Sequence, residues 1–326
     1  MIAEAFDGQY RWHPAADDHQ LARACTDLRA GRYFSAHEVL KEARSDFELR
    51  AHRSLVLASE AADSDLVERW VAEEPSAESA LMWARVAVLR AVRMSAKRDN
   101  RLGALTDIAQ NACERAAETF PDDPTPLVAQ LAIAHLLRVS DPAPQEVSRT
   151  PPGPWGIFTR ILRFAPSHRE AHHRMLAYFF VRHGGSGTAA WDVALFLSQR
   201  APLSSALRLL PFVALLAEHD SNTLVADRIW EQPAWHAAAT TVYENWFSGI
   251  SAYRFTPVLD LSYLAHALFM ARRRPEARKV FMTMGPYASR MPWAAFGDPV
   301  KQLTIVRRSC GLPVPAGVHT RRPVGN

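Results

Sequence analysis

The chain has 326 residues, 48% hydrophobic and 22% charged, with three cysteines and a formal net charge of +4. That length can bury one large core or a long curved one. The cysteines stand far apart with no Cys-x-x-Cys spacing, and no apolar run approaches the ~20 residues of a bilayer span, so a disulfide framework, a zinc knuckle and a membrane helix are all excluded.

The charge is uneven. Residues 1–123 carry 16 basic and 22 acidic side chains, a net of −6; residues 251–326 carry 12 and 3, a net of +9. No recognition motif accompanies the basic end, and Arg272, Arg273 and Arg274 sit at a predicted helix end, where they complement the helix dipole. Nucleic acid is therefore not the expected partner. The first residues lack a basic segment followed by an apolar run, so no secretion signal is read and a cytoplasmic setting is expected.

Helical hairpins follow one another from the start. Residues 20–30 and 33–44 form the first, with Gly31 in the turn, Tyr33 opening the second helix, and Ala36 small enough to allow close approach. A helix over 47–62 follows. Asp65 is placed to cap 66–74, which Pro75 ends. Ser76 caps a helix over 77–93, whose apolar positions Leu81, Trp83, Ala84, Val88 and Val92 fall mainly at three- and four-residue spacing. A helix over 102–120 runs into the turn Pro121–Asp122–Asp123–Pro124, and 125–138 resumes with Leu127, Leu131, Ala134 and Leu137.

Residues 139–154 read as a linker. Its five prolines forbid regular helix and favour extended chain. Beyond it, 155–164 and 167–182 make a hairpin that ends at His183–Gly184–Gly185–Ser186–Gly187. Hairpins over 188–200 with 204–218, 223–230 with 233–247, and 260–273 with 275–284 follow. A last amphipathic helix spans 299–309, and 311–326 is a loose tail. No alternating strand of useful length appears, so the fold class is all-α. The expected organisation is an N-terminal helical segment 1–138, the linker 139–154, a C-terminal helical segment 155–310 and the tail 311–326.

Leu28, Gly31, Tyr33 and Ala36, then Ala116, Ala117, Phe120 and Pro121, recur as turn, second helix and closing proline. Ala165–Pro166 with Ala171, and Ala201–Pro202 with Ala206, look like junctions of the same kind. Leu264, Ala267, Ala277 and Phe281 make a further unit, with Arg273 in the turn where glycine is expected. This pattern resembles the tetratricopeptide repeat family, in degenerate form because a regular period is not kept. The resemblance implies a right-handed α-solenoid of antiparallel hairpins whose concave face holds a protein or peptide. It implies no catalytic reaction and no cofactor. The paired lysines and asparagines of chaperone-tail-binding members have no counterpart here.

His168 and His172, at i and i+4, share a helix face and are the candidate metal ligands. His183 is about 16 Å further along the same predicted helix, too far to share an ion, and the HExxH signature is missing. The competing reading is a plain helix start, with Ser167 as N-cap and Glu170 completing a capping box. The 183–187 stretch lacks the lysine and the strand of a Walker loop, and its glycines serve to release a helix end. Nor does Ser186 sit on a nucleophile elbow.

Of nine tryptophans, most are expected to fix helix packing. The run from Trp230 to Trp246, with Tyr243, Phe247 and Tyr253, could line a ligand surface, and Met291–Pro292–Trp293 is expected to clamp the last hairpin. The acidic pairs Asp17–Asp18, Glu73–Glu74 and Asp122–Asp123 read as solvated caps. The leading expectation is a non-enzymatic scaffold contacting its partner through Tyr33, His37, His172, Trp235, Tyr243 and Trp246. The alternative is a metal-dependent enzyme on a helical-repeat scaffold, with its site near residues 168–183.

Overall fold

The computed structural model describes residues 8–97, 100–143, 150–217, 230, 232–250 and 256–315. They are helical, and among them backbone pairing of the β type is confined to two isolated bridges, Arg11 with Tyr287 and Asp141 with Gly153. None of the helices is long and apolar enough to cross a membrane. The chain divides into two compact units: Asp18–Phe196, and a unit joining the described residues before Asp18 to those from Leu197 onward.

The Asp18–Phe196 unit holds α1 (His19–Arg29), α2 (Phe34–Glu42), α3 (Phe47–Ala61), α4 (Leu66–Glu73), α5 (Ala77–Lys97), α6 (Leu102–Thr119), α7 (Thr125–Ile133), α8 (Trp155–Phe164), α9 (Arg169–Tyr178) and most of α10 (Gly187–Arg200). Local chemistry sets the starts. Asp18 accepts the Leu21 N–H and Asp46 the Leu49 N–H. Ser76 and Ser79 exchange N–H to Oγ hydrogen bonds of 2.9 and 3.2 Å, a reciprocal cap on α5. Asp65 stands at the cap position of α4, yet its side chain makes no capping bond and instead faces Arg69 at 3.6 Å.

Odd-numbered helices pack in sequence, α1 on α3, α3 on α5, α5 on α7 and α7 on α9, with α2 against α1 and α3, and both α4 and α6 against α5. The seam between α5, α6 and α7 is built from small side chains, Ala84, Ala87, Ala91, Ala109, Ala112 and Ala129, closed by Ile133. Small residues there let helix axes approach to the short end of the 8–10 Å range. The row also folds back, because α9 meets α3 as well as α7. Both flanks of 139–154 lie in this one unit, and Asp141 and Gly153 exchange backbone hydrogen bonds of 2.7 and 3.0 Å.

The other unit contains α11 (Leu210–Ala217), α12 (Pro233–Asn245), α13 (Val258–Met270), α14 (Arg274–Met284) and α15 (Pro299–Ser309). The helix expected over 223–230 falls outside the described residues except for Trp230. Trp293 is fully buried against Phe281 and His266, as its clamp role requires. The segment before Asp18 lies along this core: Arg11 exchanges backbone bonds of 2.9 Å with Pro286 and Ala288, and the Arg307 guanidinium sits over the rings of Tyr10 and Phe281.

Candidate functional site

The six expected contact residues are shared between the two units, Tyr33, His37 and His172 in Asp18–Phe196 and Trp235, Tyr243 and Trp246 in the other. Tyr33 lies flat on Trp70, ring centroids 5.1 Å apart, and donates its hydroxyl to Glu73 at 3.1 Å. His37 lies beside the same indole and 3.5 Å from Glu74. These two fasten α2 to α4. Trp235 packs against Phe212 and Trp230 in the other unit. Tyr243 stacks on Phe247, and Trp246 is half-buried beside them; Tyr253 is outside the described residues. His172 is 5% exposed and packs edge-on against Phe158, so it presents no surface to a partner.

The expected metal pair is committed to the backbone. His168, not Ser167, caps α9: its Nδ1 accepts the Ala171 N–H at 3.3 Å, and Ser167 is exposed. The cap moves one residue because His168 is pressed into the core, 0% exposed, where its ring has no water to bind. His172 Nδ1 donates to the His168 carbonyl at 2.8 Å. Among the described residues neither histidine belongs to a group of three convergent metal ligands. Burial pushes both imidazoles down to about 4, so they are neutral near pH 7.

Glu170 does not complete a capping box. Both its oxygens take a two-pronged bond from Arg85, 2.8 Å each, and Arg174 adds a third at 3.2 Å. Although burial opposes its charge, the guanidinium of Arg85 holds its carboxyl at about 2. Asp123 is likewise no solvated cap. It is 3% exposed, takes the Arg50 Nε–H at 2.6 Å and accepts the Thr125 N–H at 2.8 Å. Arg50 also reaches Glu78, which Arg44 grips with two bonds of 2.6 and 2.7 Å. This charged lattice ties α3, α5, α9 and the start of α7 together. Arg50, Arg85, Glu78 and Asp123 are buried within it, while Arg44 and Arg174 keep part of their side chains exposed.

Open space lies elsewhere in the Asp18–Phe196 unit. One groove of about 390 Å³ runs between α4, the first half of α5 and the second half of α6. The half-buried Trp83 indole, the small Ser79, Ala80 and Ala112, and the charged Glu68 and Arg115 line it. Arg90 bonds Glu68 at 2.5 Å and lies 5.7 Å from the Trp83 ring centre, which fixes both. Sequence periodicity marked Trp83 only as a core position. Its exposed face depends on the neighbouring alanines being too small to cover it. A second cavity, of about 610 Å³, opens beside the turn after α9.

Comparison with known proteins finds no match: no family model fits the chain, no curated protein matches it, and no solved structure matches it.

Proposed function

We propose that the chain is a non-enzymatic helical-repeat protein of degenerate tetratricopeptide type that binds an extended protein segment in the groove between α4, α5 and α6. The carrying observation is the groove floored by Trp83. Its small residues leave room for one large apolar side chain, and an aromatic face beside an arginine is the usual anchor of a binding surface. Glu68 is held by Arg90, so the charge that Arg115 brings is matched by a carboxylate on the incoming segment. The preferred occupant is therefore a peptide with an apolar anchor residue and a nearby acidic one. The sequential packing of α1, α3, α5, α7 and α9 supports the helical-array part of that reading.

The metal-dependent alternative gains no support from convergence of ligands, since among the described residues neither His168 nor His172 belongs to a group of three.

Displayed random peptides selected on the purified protein test the reading. Binders are expected to share the apolar-acidic pattern, and Trp83→Ala is expected to weaken them about thirty-fold, near 2 kcal/mol, in fluorescence anisotropy. Binders without the pattern, or affinity unchanged in Trp83→Ala, would remove the groove as the site.

A further inference from the structure

The 610 Å³ cavity is lined by His135, Arg138, Tyr178, His183 and Ser186, from three separate stretches of the Asp18–Phe196 unit. The imidazoles of His135 and His183 stack, with centroids 4.2 Å and planes 19° apart. His183 donates Nδ1–H to the Ala177 carbonyl at 2.7 Å, and His135 is held by a hydrogen bond to the backbone of Ala132. One nitrogen of each ring is thus fixed, and among the described residues the other makes no hydrogen bond.

The two ring planes lie near-parallel, one above the other. A transition metal has to lie in the plane of each imidazole it binds, and one ion cannot lie in both of these planes. With Arg138 in the same lining, and with rings that can take up a proton, the cavity suits an oxyanion instead, whose oxygens accept from a guanidinium and from a protonated imidazole.

Arg138 adds a second observation. Its φ is +53°, in the left-handed region where helix ends usually carry glycine. The Val139 N–H donates five residues back to the Ala134 carbonyl, so this is a helix end closed by a left-handed residue, and it sets an arginine in the cavity lining. Ser186 lies at the start of the 14-residue α10, where it accepts the Ala189 N–H at 3.1 Å. The first N–H groups of a helix have no acceptor within it and favour anions. Pro151, Pro152 and the Tyr178 ring supply an apolar wall.

We propose that this cavity binds a small phosphomonoester, its phosphate held between Arg138 and the His135–His183 pair and its organic part against Pro151 and Pro152. The site has none of the features of a Walker loop and is separate from the Trp83 groove. Burial, then the neighbouring His183, keep His135 at about 4, and burial lowers His183. The groups facing the pair are Arg138 and Tyr178 in the cavity wall, Arg174 and Arg182, whose charges act on His183, and Asp141, whose charge acts on Tyr178. A bound dianion offsets the repulsion within the pair, so binding takes up a proton.

Calorimetry at pH 7.5, run in two buffers of different ionisation heat, tests this with phenyl phosphate and inorganic phosphate. Phenyl phosphate is expected to bind more tightly than inorganic phosphate, with net proton uptake. Arg138→Gly, which suits the backbone angle, is expected to weaken it at least tenfold without lowering the melting temperature. His183→Asn is expected to abolish most of the uptake. Absence of binding at millimolar ligand, equal affinity for the two phosphates, unchanged affinity in Arg138→Gly, or binding without proton uptake would each overturn the proposal.

Discussion

Arg85 is 2% exposed and its guanidinium is saturated by Glu170, the Ser54 hydroxyl at 3.1 Å and the Ala51 carbonyl at 3.3 Å. A buried pair of this kind adds little over well-packed apolar groups, because both charges lose their water. Its removal by halves is another matter, since the surviving charge has nothing to bind. Glu170→Ala is expected to lower the unfolding free energy by about 3–5 kcal/mol in urea titration, and the double variant Arg85→Met/Glu170→Leu to recover most of that loss. Such a lattice is hidden from sequence reading. Asp123 follows Asp122 in a proline-flanked turn, which is the signature of a solvated cap, and nothing local reveals that Arg50, 73 residues earlier, bonds it at 2.6 Å. His168 was misplaced for the same reason: serine is the better cap by propensity, and burial chose the histidine.

Helix ends were far more legible, because they are set by a few adjacent residues. Four of them close in one way. Gly31, Gly184, Arg272 and Gly311 each have positive φ and donate their N–H three residues back, to Leu28, Val181, Phe269 and Arg308, while the next residue donates five back, to Asp27, Phe180, Leu268 and Arg307. This is the Schellman arrangement, in which a left-handed residue satisfies the last carbonyls. The glycine was expected at 273, and the structure puts the left-handed residue at 272, one position earlier. After both the Gly31 and the Arg272 turns the chain runs into a helix with matched burial: Ala36, Val39 and Leu40 correspond to Ala277, Val280 and Phe281, each 5% exposed or less. These two segments thus share turn chemistry and packing positions. Its consequence is testable at the turns. Arg272→Gly relieves a left-handed arginine and is expected to leave stability unchanged or raise it by up to about 1 kcal/mol, whereas Gly31→Val is expected to cost about 1–2 kcal/mol in thermal melts.

Across the whole molecule, pairings between distant segments carried no sequence signal. The bonds from Arg11 to Pro286 and Ala288 join stretches more than 270 residues apart through backbone atoms, which any residues could supply. The histidines make a different whole-chain property, one that emerges only once the helices pack. Burial lowers His52, His168 and His172 to about 4, and His173 well below its ordinary value, all within the Asp18–Phe196 unit. In the unfolded chain these groups titrate near 6.5. Between pH 6.5 and 4 the unfolded state therefore binds more protons, and stability that is complete above pH 6.5 falls as pH drops through that window. For His168 and His172, which are almost fully buried, the loss approaches roughly 3 kcal/mol each, against a total stability of about 5–15 kcal/mol for a typical domain. The Glu170 carboxylate, held at about 2 against an ordinary value of 4.5, contributes its full stabilisation above that ordinary value and loses it only as pH falls from there toward 2. Helical signal followed by circular dichroism is thus expected to collapse between pH 6 and 4, above the range where carboxylates protonate. His168→Asn keeps a capping side chain but cannot titrate, and is expected to move the midpoint to lower pH. A midpoint below pH 3.5 in the wild-type chain would show that these rings accept protons without leaving the core.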